Sequence, residues 1–275
     1  MSHSRGFLAE LELNLRAAYA RAWVRIVGGN REPMWIAFEV ILPILTLSAY
    51  VFVYRVLNAP PEFTGFVVLG GMMLAFWLNV LWNMAAQLYW EKETGNLTHF
   101  LIAPISRMAI LLGMALGGAV NTTLRAIAIL VFGTYIFQVE YTIGDPFTAM
   151  LIFILTLVAL YALGMLFSSL FLLYGREAWH TANLFQEPVF FVSGFYFPVK
   201  LLPFWIQVAA SILPMTFGLD GIRNVLINGA QLDGVYVHIL VLLLFIAILL
   251  PLARWGLAYM ERLAKKEGRL TLRWI

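Results

Sequence analysis

Five stretches of this chain stay apolar for about as long as a helix needs to cross a bilayer. They cover approximately residues 34–56, 66–88, 108–137, 147–174 and 235–258. A helical crossing needs about 20 mostly apolar residues, because each residue advances the helix by only about 1.5 Å. Inside a bilayer the backbone must satisfy its own hydrogen bonds, which a helix does within one segment. The stretches therefore predict an all-α, polytopic membrane protein.

A sixth apolar stretch, residues 183–217, cannot form one straight helix. It contains the pair Ser193-Gly194 and four prolines, at Pro188, Pro198, Pro203 and Pro214. An internal proline removes a backbone hydrogen bond and clashes with the preceding turn. We therefore expect one crossing at about residues 184–197, followed by short helices at about residues 201–212 and 217–227 that re-enter the outer leaflet. With this crossing the chain has six transmembrane helices.

The composition supports a membrane protein and limits the kinds of partner that its basic residues can bind. Hydrophobic residues make up 62% of the chain, charged residues make up 12%, and the mean hydropathy is +0.85. These values lie far from those of soluble domains. Most lysines and arginines fall near the two ends of the chain or in loops that six crossings place on one side of the membrane. This distribution indicates that the basic residues face an anionic lipid leaflet rather than bind nucleic acid. We therefore expect a plasma (inner) membrane protein with both termini in the cytoplasm.

The N-terminal segment, residues 1–32, predicts a cytoplasmic amphipathic helix at about residues 7–27. Its apolar face holds Leu8, Leu11, Leu15, Ala18, Ala22 and Ile26. Tyr19 and Trp23 suit a headgroup boundary, although a plain cytosolic tail is the alternative. Charges throughout this segment predict that it is not a cleaved signal peptide. Residues 33–275 then form a single six-span domain, since no repeat or linker divides them.

A polar island at residues 90–107, WEKETGNLTHFLIAPISR, separates the second and third stretches. Glu91 and Glu93 are placed near its start, where negative charge favours a helix N-terminus. Gly95 and Asn96 predict the end of the preceding span, and Pro104 predicts the end of a short helix. Ser106 then stands at the position of an N-cap for the next long helix.

Within the island, Leu97, Phe100 and Leu101 fall at positions i, i+3 and i+4. This spacing predicts one small apolar ridge on a helix of about two turns. The ridge has two interpretations. It belongs either to an ordinary loop that lies on the lipid headgroups or to a knob that docks in a groove of a soluble partner.

Several kinds of chemistry find no support in the sequence. The chain has no cysteine, which excludes thiol chemistry. None of its four lysines follows a glycine, so the phosphate-binding G-x-x-x-x-G-K-[ST] loop is absent. The four histidines are scattered without metal-ligand spacing, and Ser193 lacks the glycine of a hydrolase elbow. We therefore expect no catalytic residue, no metal and no cofactor held by this chain.

Two stretches together resemble the membrane subunits of ABC type-2 exporters, which include permeases for drugs, polysaccharides and lipid-linked glycans. The first, EKETGNLTHFLIAPISRMAILLG, is similar to the pattern E-x-E-x-G-T-L-x-x-L-L-x-x-P-x-S-R, with Asn96 as the one departure. The second, FVSGFYFPVKLLPFWIQVAASILPMTFGLDGIR, is similar to S-G-x-x-F-P-x-x-x-L-P followed by L-P-x-T-[YF]-x-x-D-x-x-R. They stand in the right order around six spans, and the resemblance covers nearly the whole chain.

The resemblance implies a cytoplasmic coupling helix that contacts a separate ATPase subunit, which binds ATP and Mg²⁺. The matching residues are Glu91, Glu93, Gly95, Leu97, Phe100, Leu101, Pro104 and Arg107. It also implies a re-entrant outer region formed by Ser193, Gly194, Pro198, Pro203, Pro214, Asp220 and Arg223. In that region Asp220 and Arg223 are expected as an i, i+3 pair. A homodimer exporting an amphiphilic drug, lipid or lipid-linked glycan follows from the same resemblance.

Polar residues inside the spans are candidates for a translocation path. Asn79, Asn83 and Gln87 fall at i, i+4 and i+8 of the second span. They serve either as hydrogen-bonding contacts between helices or as contacts to substrate. Charges inside spans need a partner or water, and they either fix packing or line the path. The charged residues in question are Glu39, Arg125 and Glu187.

Aromatic residues crowd the broken sixth stretch. They are Phe185, Phe190, Phe191, Phe195, Tyr196 and Phe197. They either pack or form a surface on which sugar rings or flat drugs stack. Gly113, Gly117 and Gly118 predict a close helix contact in the third span. A membrane-embedded enzyme or scaffold without transport is the alternative function, although the polar residues form no single cluster of catalytic groups.

Overall fold

The computed structural model describes residues 7–174 and 176–266, and the regular secondary structure of this part is helical throughout. The first half contains α1 (Phe7–Gly29), α2 (Pro33–Val56), α3 (Glu62–Leu78), a π-helical segment (Asn79–Ala85), α4 (Gln87–Glu93), α5 (Leu97–Ile102) and α6 (Arg107–Phe137). The second half contains α7 (Pro146–Tyr174), α8 (Arg176–Val192), a 3₁₀ turn (Val199–Leu201), α9 (Phe204–Ala210), α10 (Pro214–Leu226) and α11 (Leu232–Lys266). The predicted all-α polytopic class is confirmed.

Five segments of the described chain are long and apolar enough to cross a membrane. They comprise α2, the continuous segment from α3 to α4, α6, α7 and α11. The helices α9 and α10 meet at 98° and form a sixth candidate if they are counted as one broken span. The bounds of α2, α6 and α7 agree with the predicted stretches, because each run is stopped by proline or polar residues. Helix α11 is longer at both ends than predicted.

The second span forms the centre of the bundle. Helix α3, the π segment and α4 follow one another with 78% of the span's most apolar window buried, against 11% for α2 and 17% for α11. Helix α3 packs against α2, α6 and α10, and the π segment packs against α6 and α7. Met73, Phe76 and Trp77 are among its fully buried side chains. The outer helices thus have wide apolar faces free for lipid or for a second chain.

Contacts between the long helices define two ends of the molecule. Arg107 at the start of α6 pairs with Glu261 near the end of α11. At the opposite end, Arg55 of α2 donates to the Phe137 carbonyl of α6 over 2.9 Å. We call the first the α5 end and the second the α9 end, after the short helix found at each.

The predicted crossing at residues 184–197 is displaced in the structure. Helix α8 begins at Arg176 and ends at Val192, so Arg176 lies in a helix and not in a loop. Pro188 is accommodated inside α8. The chain then turns at Gly194, whose φ of +74° suits glycine. The polar start of α8 concealed its true beginning, since only apolar residues signal a span.

The other prolines of this region stand at the starts of short elements. Pro198 precedes the 3₁₀ turn and Pro203 precedes α9. Pro214 is the first residue of α10. The first turn of a helix tolerates proline because its N–H groups have no partner within the helix. These prolines therefore divide the segment into pieces, as the sequence predicts.

Helix α1 lies along the first half of α6 in the same direction. A Cβ placed on Gly117 would lie 2.8 Å from the Ala22 carbonyl oxygen, and one on Gly113 would lie 2.9 Å from the Arg21 Cβ. Ala18 and Ala22 are buried in this contact. The predicted close contact of the third span is therefore made with α1. The predicted apolar face of α1 is divided, because its first leucines remain exposed: Leu8, Leu11 and Leu15.

Candidate functional site

The polar island forms two short helices that are held by a buried carboxylate. Glu91 is 5% exposed and accepts hydrogen bonds from Arg21 of α1 and, over 2.7 Å, from Gln87. Its second oxygen accepts a bond of 3.1 Å from Asn96, the residue that precedes α5. One side chain thus joins α1, α4 and the start of α5. Removing a charged partner from such a buried pair leaves an unpaired charge and is strongly destabilising.

A second arginine of α1 reinforces this junction. Arg25 donates to the side-chain oxygen of Gln87, and its backbone carbonyl accepts a bond of 3.1 Å from Asn121 of α6. Burial lowers the pKa of Arg25 to about 10, so its guanidinium remains protonated at neutral pH. Burial also lowers the pKa of Arg21. We name Arg21, Arg25, Gln87, Glu91 and Asn96 the α1 clamp.

The orientation of α5 differs from the predicted ridge. Leu97 is 4% exposed and packs into the core, and Phe100 is half-buried under Arg21, whose guanidinium carbon lies 5.3 Å from the ring centroid. The side chain of Leu101 falls outside the described residues. The ridge therefore attaches α5 to its own chain, because the clamp turns that face inward. The exposed face of α5 instead consists of Thr98, His99 and Ile102.

The remaining island residues also have defined positions. Glu91 and Glu93 lie in the last turn of α4, not at the start of a helix as predicted. Gly95 has a φ of +81°, a conformation that suits glycine at the break between α4 and α5. Pro104 follows the end of α5 and is exposed. The island is therefore a helix, turn and helix.

The start of α6 is fixed by long-range contacts. Ser106 stands at the predicted N-cap position without a side-chain cap bond. Its backbone N–H donates instead to the Asn14 side chain of α1 over 2.7 Å. Arg107, predicted as a partner contact, pairs with Glu261 of α11 at 3.1 Å. These contacts connect both ends of the island to the rest of the bundle.

A large cavity of about 1160 Å³ opens between α2, α3, the π segment and α8. It extends along α2 from Trp35 to Tyr50, which is about 22 Å of helix. At its α9 end Tyr50 stacks on Tyr196 with ring centroids 4.1 Å apart. We call this space the α2/α8 cavity. Its volume exceeds the usual range of about 300–1,000 Å³ for ligand sites.

The cavity brings together most of the predicted polar residues. Glu39, Asn79, Asn83, Arg125 and Glu187 all line it. Arg125 pairs with Glu39 and donates to the Gly29 carbonyl over 3.2 Å, which assigns partners to two of the three intramembrane charges. Glu187 is exposed to the cavity and accepts a bond of 3.2 Å from Gln186.

The three residues of the predicted polar stripe lie in different surroundings. The π segment interrupts the α-helical spacing, so Asn79, Asn83 and Gln87 do not form one line. Asn79 is buried and accepts a bond of 3.0 Å from the Tyr161 hydroxyl of α7. Asn83 is exposed in the cavity, whereas Gln87 belongs to the α1 clamp. The contact of Asn79 is one between helices, and a contact of Asn83 with substrate stays a prediction.

The aromatic side chains of the broken stretch differ in burial, and Phe190 lines the cavity as well as packing on Phe195. Phe195 is fully buried and meets Phe190 edge to face at 6.0 Å. Phe191 meets Phe197 at 5.6 Å, and both line the cavity. Phe185, the remaining member of the predicted group, has a side chain outside the described residues.

At the α9 end a buried arginine holds the turn after α8. Arg223 of α10 is 5% exposed and donates to the carbonyls of Gly194 at 2.6 Å and Phe195 at 2.8 Å. A third bond of 2.8 Å reaches the Phe66 carbonyl of α3, and the guanidinium carbon lies 3.2 Å from the centroid of the Phe66 ring. Gly70 leaves room for this arrangement, since a Cβ there would overlap the Phe195 carbonyl.

The predicted pair between Asp220 and Arg223 is not the arrangement found. Asp220 instead pairs with His238 of α11 at 3.0 Å and accepts a bond of 3.3 Å from Asn224. Arg223 points to backbone carbonyls, because the chain reversal after α8 leaves those of Gly194 and Phe195 without helical partners. Ser193 is buried beside the same turn.

Sequence reasoning did not identify the residues that complete these arrangements. They are Arg21, Arg25, Tyr161 and His238, and no local pattern in the sequence predicts their contacts. Each makes its contact with a residue distant in the chain, 70 positions away for Arg21 and Glu91. The sequence gives one sign of these contacts: Arg21 and Arg25 are four residues apart and therefore share one face of an amphipathic helix.

Comparison with known proteins agrees with the earlier resemblance. The model of the ABC-2 type transporter family matches residues 15–227. The Escherichia coli K12 protein named "Probable multidrug ABC transporter permease YbhR" is 28% identical over 148 residues, which cover 53% of this chain and 39% of that relative. The linearmycin resistance permease protein LnrN of Bacillus subtilis is 23% identical over 178 residues, 65% of this chain and 46% of LnrN.

A further relative, the inner membrane transport permease YadH of Escherichia coli K12, is 22% identical over 188 residues, or 66% of this chain and 72% of YadH. The chain spans less than half the length of the first two relatives. The family match itself extends from α1 to the end of α10 and includes the island, the cavity and the Arg223 turn. By that match this chain belongs to the ABC-2 type transporter family.

Proposed function

We propose that this chain is the permease subunit of an ATP-driven ABC exporter that moves an amphiphilic drug, lipid or lipid-linked glycan out across the plasma membrane. A separate ATPase subunit binds ATP and Mg²⁺, and a second copy of this chain completes a homodimer. Both termini and the α5 end lie in the cytoplasm, as the distribution of basic residues favours.

The α1 clamp is the observation that carries this proposal. A loop that merely rests on headgroups has no need of a buried ion pair, since desolvating two charges is costly. A segment that receives force from another subunit must instead be attached firmly to the membrane helices. The clamp provides this attachment through the bond of Arg21 to Glu91, while α5 leaves Thr98, His99 and Ile102 exposed. This exposed face is the docking surface for the ATPase subunit.

The clamp also connects the docking surface to the cavity. Helix α4 continues through the π segment into α3, which lines one wall. Helix α1 leads into α2 after a break of three residues, and the Arg125 bond to Gly29 lies at that break. Movement of α5 would therefore displace two walls of the cavity together. Most of α2 is exposed. A second copy of the chain would pack on this surface and close the cavity.

Docking can be tested by comparing two exposed isoleucines. Ile102 on α5 is 75% exposed, and Ile143 at the α9 end is 60% exposed. Ile102→Asp should abolish co-purification of an ATP-binding subunit from native membranes, since a charge would enter an apolar contact. Ile143→Asp is the matched control and should retain it. Mass spectrometry of the purified complexes identifies the subunit.

The outcome also separates transport from the alternative scaffold function. If the ATP-binding subunit is recovered with Ile143→Asp and lost with Ile102→Asp, while both variants stay folded, the docking surface is located. If no ATP-binding protein accompanies even the wild-type chain, the exporter proposal loses its energy source and a scaffold takes its place.

A further inference from the structure

The charges that line the α2/α8 cavity do not balance. Three charged residues line it among those the structure describes: Glu39, Arg125 and Glu187. Glu39 and Arg125 neutralise each other, and Glu39 accepts a further bond of 2.9 Å from the Trp35 ring N–H. Glu187 accepts a hydrogen bond from an uncharged amide, that of Gln186. The described lining therefore carries one net negative charge.

The position of Glu187 makes this charge available to a ligand. Its side chain is exposed in the cavity, and Gln186 is occupied on its other side because it accepts a bond of 2.5 Å from Trp82. A charge in a cavity lined mainly by apolar side chains attracts an opposite charge more strongly than the same charge does in bulk water. It also repels an anion by a comparable amount.

Aromatic rings line the same cavity as this carboxylate. They include Trp35, Phe38, Trp82, Phe190, Phe191 and Phe197. The faces of such rings carry negative partial charge and bind cations, above all organic cations that shed water readily. A carboxylate in a cavity with aromatic walls is thus suited to binding a lipophilic cation.

We propose that the α2/α8 cavity selects lipophilic organic cations and that Glu187 is the residue that determines this selectivity. This inference rests on the proposed export function and specifies the charge of the substrate. Quaternary ammonium, phosphonium or aromatic amine compounds with several rings are the matching class. The volume of about 1160 Å³ leaves room for their apolar bodies beside the charged centre. Neutral glycans would stack on the rings without using the carboxylate.

Two ions of nearly the same size and shape but opposite charge make the test direct. Tetraphenylphosphonium and tetraphenylborate are measured by equilibrium dialysis against the purified chain in lipid nanodiscs, with binding to empty nanodiscs subtracted. We expect saturable binding of the phosphonium and no saturable binding of the borate. Glu187→Gln should weaken phosphonium binding by about tenfold or more, which corresponds to the loss of one favourable charge interaction.

A remote carboxylate supplies the control. Glu140 is exposed between α6 and α7, outside the cavity lining, and Glu140→Gln should leave binding unchanged. Phe191→Leu should weaken the phosphonium by a few fold, because one aromatic face is lost. The proposal is overturned if Glu187→Gln binds the phosphonium as tightly as wild type does, or if both ions bind equally well. Because the assay contains no ATPase and no ATP, its result is independent of whether the ATPase subunit docks.

Discussion

Arginines hold both ends of this bundle, half-buried at the α5 end and buried at the α9 end, but their partners differ in kind. At the α5 end Arg21 binds a carboxylate side chain, and Arg25 binds an amide side chain. At the α9 end Arg223 binds three backbone carbonyls and lies over an aromatic ring. Side-chain partners can rotate away and re-form, whereas carbonyls move only with the backbone. The α5 end is therefore attached through side chains that keep contact during small rotations, whereas the turn at the α9 end is fixed.

This difference fits the roles proposed for the two ends. A docking helix that follows a partner through an ATP cycle needs contacts that survive small rotations. The turn that carries Tyr196 and Phe197 into the cavity needs a constant position, because it closes the cavity against Tyr50. Breaking the two arrangements should therefore have different consequences, and three sets of variants separate them.

The largest loss is expected for Arg223→Met. It would leave the carbonyls of Gly194 and Phe195 without the guanidinium that donates to them and remove the contact with the Phe66 ring. We expect the free energy of unfolding in mild detergent to fall by about 3–5 kcal/mol, as for the loss of one partner from a buried charged interaction. Arg55→Met is the control, since Arg55 is exposed and serves one carbonyl; it should lose at most about 1 kcal/mol.

Equal losses for Arg223→Met and Arg55→Met would contradict a special role for the Arg223 turn. No second substitution should rescue Arg223→Met, because its acceptors belong to the backbone. Tryptophan fluorescence during denaturant titration measures both variants, and the nine tryptophans of the chain provide the signal.

An intermediate effect is expected at the α1 clamp, where rescue should be possible. Arg21→Met leaves Glu91 buried without its arginine, and Glu91→Gln leaves the partly buried Arg21 without its carboxylate. Each single variant should lose about 3 kcal/mol of unfolding free energy. The double variant has no buried unpaired charge and should recover at least about 1 kcal/mol relative to the sum of the singles. A double-mutant cycle by denaturant titration gives this coupling directly.

The exposed pair of α1 provides the matched cycle. Arg16 and Glu12 form an ion pair with side chains 77% and 62% exposed, and their coupling should be below about 0.5 kcal/mol. If the buried and exposed cycles gave the same coupling, the clamp would be no more than a surface contact and the proposed attachment of α5 would fail.

The smallest effect concerns packing between α1 and α6 rather than charge. Gly117→Ala would bring a methyl group within 2.8 Å of the Ala22 carbonyl oxygen and should lose about 1–3 kcal/mol of unfolding free energy. A Cβ on Gly28 of the same helix pair meets nothing within 4 Å. Gly28→Ala should therefore be neutral or gain up to about 1 kcal/mol. A tolerated Gly117→Ala would show that α1 is not closely packed on α6.

Much of the fold could be predicted, because the length of each apolar stretch can be read directly from the sequence. Helices α2, α6 and α7 begin within one residue of the predicted positions. The start of α8 could not be predicted, since its first turns are polar. The same holds for the direction of Leu97: spacing shows that residues share a face but not whether that face turns inward.

The candidate site was predictable in its residues but not in its contacts. Glu91, Glu39, Arg125 and Arg223 were all singled out from the sequence. Their partners lie far along the chain or in the backbone, as with the pairing of Arg21 and Glu91 or the carbonyls around Arg223. Pattern analysis uses near neighbours, so only the packed structure shows these contacts.

The claim that α5 receives the ATPase subunit is tested most directly by site-specific cross-linking. Because the chain contains no cysteine, Ile102→Cys and Ile143→Cys each carry a single thiol, one at either end of the bundle. Each is treated in native membranes with a short heterobifunctional cross-linker that reacts with thiols and, after illumination, with any neighbouring protein. We expect an adduct that contains an ATP-binding subunit from Ile102→Cys and none from Ile143→Cys. An adduct from Ile143→Cys, or none from Ile102→Cys while the complex still co-purifies, would contradict this placement.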